Sequence, residues 1–130
     1  MKLEPISRAG VALTALVFAV LGVACAVAPE RMAASVSLGA SEATAQAEVM
    51  AMYGGLELGI AAFLLHCMRR DLELALSFVA LSLGGLGSLR LIGLLVHGGD
   101  FSLMGWFLLA ELGGAAAAAG LLLAGRRARL

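Results

Sequence analysis

The sequence predicts an all-α integral membrane protein, a four-helix antiparallel bundle with both termini on the cytoplasmic side (N-in/C-in). Three observations predict it. First, 62% of the 130 residues are hydrophobic, only 14% are charged, and the mean hydropathy is +1.00. That leaves too little polar surface to cover a water-soluble domain of this length. Second, four apolar stretches are each long enough to cross a hydrocarbon core of about 30 Å at about 1.5 Å per residue. Third, Lys and Arg are segregated between alternate connections.

The residues 1–130 read as one transmembrane domain with helices at about 9–28, 45–68, 73–97 and 101–125. The first helix, Ala9 to Ala28, carries no charge. Lys2 and Arg8 resemble the basic start of a signal peptide, and Ala26-Val27-Ala28 resembles its cleavage box. The apolar run is longer than the usual apolar core of such a peptide, so a retained helix is expected. A lipoprotein anchor at Cys25 is not expected, because Gly22 stands where such a motif usually has Leu.

Pro29 is expected to end this helix, since the residue before a proline disfavours the helical region. An outer segment of about fifteen residues, Glu30 to Thr44, follows. Within it Ser41, with Glu42 behind it, reads as the N-cap of the second helix. The second apolar stretch, Val49 to Met68, is broken only by Glu57, the third, Leu74 to Val96, only by Arg90 and the fourth, Phe101 to Gly125, only by Glu111. The connections Arg69-Arg70-Asp71 and His97-Gly98-Gly99-Asp100 are short, which makes the last three helices antiparallel neighbours.

Seven basic residues fall on one side: Lys2, Arg8, Arg69, Arg70, Arg126, Arg127 and Arg129, against Arg31 alone on the other. The positive-inside rule then places both termini in the cytoplasm, and the location expected is a bacterial inner membrane. In this topology Cys25 and Cys67 lie near opposite faces, roughly 20 Å or more apart and beyond disulfide reach, so both read as small packed residues. Small residues mark the expected helix contacts: Gly55 and Gly59 as a GxxxG pair, Gly84 and Ser88, and Gly113, Gly114, five consecutive alanines and Gly120 in the fourth helix. Packing within one protomer or an interface with a partner would both use them.

The charges inside the spans are the most informative residues. Glu57 is nine residues below Glu48, about 14 Å at helical rise. Arg90 is ten residues below Asp100 and Glu111 eleven above it in number, about 15 and 16 Å deep. All three therefore fall in one layer near the midplane. An isolated charge there costs at least about 2.5–3.5 kcal/mol. The expected remedy is a shared polar cluster in which the five donors of Arg90 serve both acids. Tyr53, four residues before Glu57, would extend this cluster, and His97 and Glu48 would stand at its outer mouth with Trp106 near the interface. The alternative is that Tyr53 and Trp106 are interfacial anchors and His97 a solvated loop residue.

From Glu48-Val49-Met50-Ala51-Met52-Tyr53-Gly54-Gly55-Leu56-Glu57-Leu58-Gly59, through Arg90-Leu91-Ile92-Gly93 and Gly98, to Glu111, the chain resembles a family of small four-helix bacterial membrane proteins of unknown function. That family is similar in size and helix number to the DoxX-like proteins. The resemblance covers essentially the whole chain, with the Tyr-Gly-Gly segment its most specific part. It implies the four-helix fold and points to the same polar positions. Met50 departs from it, because the family pattern implies a basic residue there, and an outer ion pair with Glu48 is then missing.

Three functions are compatible with these residues. One is an accessory or structural subunit whose buried Glu-Arg-Glu layer fixes helix register. A second is a binder or transporter of a small molecule, lipid or proton that uses the layer. An enzyme is the least expected, because no Ser-His-Asp set or phosphate loop is visible, although an Arg-Tyr-Glu pocket acting on a lipid or thiol substrate is conceivable. No metal or cofactor is expected, since His66 and His97 sit at opposite faces. The formal net charge of zero gives no reason to expect a nucleic-acid partner. The expected partners are the bilayer itself and either further copies of the chain or a larger membrane protein.

Overall fold

The fold is known from a computed structural model that describes residues 3–98 and 101–127. Lys2, Gly99, Asp100 and Arg129, all used in the topology argument, lie outside the described residues. In chain order the helices are α1 (Leu3–Val27), α2 (Pro29–Ser35), α3 (Ala43–Val49), a π-helical segment (Met50–Gly55), α4 (Leu56–Arg70), α5 (Leu72–His97) and α6 (Phe101–Arg127). No strand occurs among the described residues.

Four stretches are long and apolar enough to cross a membrane: Leu3–Val27, Ala43–Arg70, Leu72–His97 and Met104–Arg127. Large apolar side chains stand outside rather than inside, with Leu81, Leu89 and Trp106 each more than 70% exposed. That distribution would be costly in water and suits lipid. The chain is a helical membrane protein.

The sequence-level boundaries shift in three places. α1 begins at Leu3, not near Ala9, because Pro5 is tolerated in a first turn and Glu4 pairs with Arg8 one turn on at 2.9 Å. α1 ends at Val27, and Ala28 leaves the helical region (φ −137°, ψ 61°) while Pro29 becomes the first residue of α2. The outer segment thus holds a short helix that the sequence reading left as a connection. It closes through Leu38 N–H, which donates to the Ala33 carbonyl at 2.8 Å, with Ser37 in the left-handed region (φ 61°). The cap of α3 is a correction: Glu42, extended at φ −88° and ψ 149°, holds the N-cap position, and Ser41 instead accepts from the Gln46 side chain through its carbonyl.

Residues cluster into two compact units, Ala12–His66 and the remainder, with the divisions falling inside α1 and inside α4. In the unit Ala12–His66, α1 packs against the π segment and α4 through glycine. A Cβ on Gly22 would stand 3.0 Å from both the Gly54 carbonyl oxygen and the Leu58 nitrogen, and one on Gly54 would stand 3.2 Å from the Ala26 nitrogen. Two backbones touch there, the close approach that replaces hydrophobic drive in lipid. The buried face of α1 in this unit follows the same logic: Ala15, Phe18, Gly22 and Cys25 recur at steps of three, four and three. On the second span the buried positions are Gly54, Ala61, Leu64 and Cys67. Gly55 and Gly59, expected to make the contact, are exposed, and a Cβ on Gly59 would meet nothing within 4 Å. Within the chain the close contact is therefore made by Gly54, one residue earlier and inside the π segment.

In the other unit α5 and α6 form an antiparallel hairpin. The pairs Glu73–Arg126, Leu83–Gly114, Gly84–Ala115, Gly87–Leu112 and Arg90–Glu111 step in opposite directions along the two helices. Asp71 alone separates α4 from α5 and caps α5, its Oδ1 accepting from Leu74 N–H at 2.9 Å. Gly98 ends α5 with φ 67°, a conformation that favours glycine. Arg8 of α1 donates to the Met68 carbonyl near the end of α4 at 2.9 Å, and Arg126 near the end of α6 pairs with Glu73 at the start of α5 at 2.6 Å. Cys25 and Cys67 are both buried and free.

Adding one methyl group tests the glycine contact. Gly22→Ala and Gly54→Ala are each expected to lose about 1–3 kcal/mol from overpacking against rigid backbone. Gly59→Ala, in open space within a helix, is expected to be neutral or to gain up to about 1 kcal/mol. Thermal unfolding in detergent distinguishes the two classes.

Candidate functional site: a buried arginine clamp

Arg90 sits in the last third of α5 and Glu111 near the middle of α6. An arginine at this position cannot shed its charge, so an apolar hairpin must supply it with a counter-charge. Glu111 does so with both oxygens. Arg90 Nε donates to Glu111 Oε2 at 2.8 Å, and Nη2 donates to Oε1 at 2.6 Å. This bidentate geometry is the strongest available to a guanidinium and a carboxylate. The pair is largely enclosed, with the Glu111 side chain 11% exposed and that of Arg90 29%.

Two further groups on α6 hold the guanidinium. Its carbon lies 5.4 Å from the centre of the Phe107 ring, and Nη1 donates to the Met104 sulfur at 3.5 Å. The first is a cation–π contact. Met104, Phe107 and Glu111 follow one another at steps of three and four residues, so a single face of α6 surrounds the charge. Neither Met104 nor Phe107 was expected from the sequence. Their spacing before Glu111 was a readable signal, since residues three and four apart on a helix are neighbours.

Gly87, one turn before Arg90, is the third residue the sequence reading missed. A Cβ there would lie 2.7 Å from Leu112 Cδ2 and 3.2 Å from Glu111 Cβ. The missing side chain lets α6 close on α5 at the level where the pair forms. A Cβ on Gly84, expected here, would lie at an ordinary 3.7 Å from Ala115 Cβ, whereas Ser88 is exposed.

The other expected site residues are placed as follows. Glu57 is the second residue of α4 in the unit Ala12–His66, two residues past the π segment, and its Oε2 is buried without a hydrogen-bond partner. Tyr53 lies inside the π segment and is about half exposed. Glu48 on α3 and His97 at the end of α5 are both exposed, as is Trp106. The structure thus brings Arg90 and Glu111 together as a pair. An open recess of about 420 Å³ is lined by Val27, Ala28, Pro29, Glu30, Arg31 and Gln46, none of them an expected site residue. Among the described residues, no group of three or more His, Cys, Asp or Glu side chains is placed to hold a metal ion.

Breaking the clamp on one side strands the other. Arg90→Met is expected to destabilise the protein by on the order of 3–5 kcal/mol, because it leaves the Glu111 carboxylate enclosed without its cation. Arg90→Lys is expected to lose less, since it keeps the charge but not the fork. Midpoints of unfolding in detergent, measured side by side, check the order.

The family described as "domain of unknown function (DUF4345)" matches residues 6–122, which reach into all four spans and include the whole clamp. The chain belongs to that family. Nothing among curated proteins or solved structures matches it.

Proposed function

We propose that this DUF4345 protein is a small accessory or scaffold subunit of the bacterial inner membrane, spanning it four times with both termini in the cytoplasm and catalysing no reaction of its own. The observation that carries this reading is the state of the buried charges on α5 and α6. Both Glu111 oxygens are engaged by Arg90, and Phe107 and Met104 pack on the guanidinium. A carboxylate committed to a bidentate pair fixes the register of two helices and offers no free oxygen to a substrate.

The orientation is supported by the basic helix ends. Arg8 reaches the Met68 carbonyl, Asp71 joins α4 to α5, and Arg126 reaches Glu73. These contacts gather the ends that carry Arg8, Arg69, Arg70, Arg126 and Arg127 on one face, the pattern that the positive-inside rule assigns to the cytoplasm. A partner is supported by α6, the least buried of the four spans. It exposes Gly113, Ala116, Ala117 and Gly120 beside Leu109 and Leu123, a surface of small and apolar residues suited to another transmembrane helix.

Native mass spectrometry of the complex, released gently from its own membrane, tests the proposal. The expected particle is heavier than one chain of 13.2 kDa, either by further copies or by a second, larger polypeptide. A lone chain that turns over a substrate in detergent would overturn it.

A further inference from the structure

Glu57 is not accounted for by the clamp. It is the one side chain among the described residues that buries an oxygen without any hydrogen-bond partner. It also occupies the first turn of α4, directly after the π-helical segment Met50–Gly55. Segments of this kind are rare and concentrate at functional sites, because widening one turn re-aims the side chains beside it. We propose that Glu57 is a proton-binding site, its buried carboxylate oxygen taking up a proton within the span to give the neutral acid.

The surroundings of Glu57 within its unit favour a proton over a fixed counter-ion. On α1, which packs against this region through Gly22 and Gly54, the stretch from Ala12 to Val27 contains no charged residue. Its one titratable side chain is Cys25, which is buried. On the same span, between Val49 and Leu65, Tyr53 is the other titratable group and Glu57 the only charged one. Arg31 is the only Lys or Arg between Ala12 and His66, and it lies on α2 beyond the end of α1. The helices of this unit therefore present a carboxylate with no cation. An unpaired carboxylate in apolar surroundings is far more costly than the neutral acid, so the proton is the ligand that removes the cost. The reaction is the transfer of one proton from water to the carboxylate, and the reverse step restores the charge.

Gly22 and Gly54 bring the two backbones into contact one turn from Glu57, so α1 lies directly beside the level of the carboxyl group.

Infrared spectroscopy of the full-length protein in lipid nanodiscs at neutral pH tests the proposal. The wild type is expected to show the carbonyl stretch of a protonated carboxyl group, and folded Glu57→Gln is expected to lose that band. Should Glu57→Gln fail to fold, the wild type is treated with dicyclohexylcarbodiimide, which reaches protonated carboxyl groups from the apolar phase, and the adduct is mapped by peptide mass. The adduct is expected on Glu57 and is expected to fall severalfold as the pH is raised. A band that persists unchanged in folded Glu57→Gln overturns the proposal, and so does the absence of an adduct on Glu57.

Discussion

A guanidinium that cannot lose its charge, placed in the interior of an apolar helix hairpin, must be met by an anion or the hairpin does not form. That requirement falls on Arg90 and Glu111, and much else in the α5–α6 unit follows from it. Gly87 lets the helices approach, Met104 and Phe107 close over the cation, and Asp71 and Gly98 cap the two ends of α5. The apolar remainder of the hairpin gives little preference for one register, because leucine and alanine pack on lipid as well as on each other. A single bidentate pair gives that preference. Sliding either helix by one turn separates the charges by about 5.4 Å and exposes both to hydrocarbon.

The other unit solves its packing differently. Between Ala12 and His66 the contact is made by absent side chains, with Gly22 and Gly54 joining backbone to backbone. Glu57, the charged residue between Val49 and Leu65, has an unpartnered oxygen. One hairpin therefore uses a satisfied ion pair and the other uses close backbone approach around an acid.

Much of the architecture was legible because it rests on composition and length. Four apolar runs, short connections at Asp71 and Gly98, and the segregation of basic residues are one-dimensional patterns. The Arg90–Glu111 pairing was legible too, because a charge in lipid needs a counter-charge at its own depth. What was not legible depended on helical phase. Gly55 and Gly59 have the spacing of a contact motif, yet within the chain it is Gly54, inside the π segment, that meets α1, and nothing in the sequence marks where a turn widens. The Ser41 cap failed for a related reason: Glu42 is extended and ends one residue later in the chain than the side-chain preference suggests. Phe107 and Met104 were missed because apolar residues in an apolar helix carry no contrast until their spacing from Glu111 is considered.

The central claim is that Arg90 and Glu111 act as one unit that sets the α5–α6 register. A double-mutant cycle, comparing Arg90→Met, Glu111→Leu and the combination by reversible unfolding in detergent, tests it most directly. The account predicts strong coupling, with the double variant recovering most of the stability lost by either single one, because two apolar residues leave no stranded charge. Losses that simply add would contradict it.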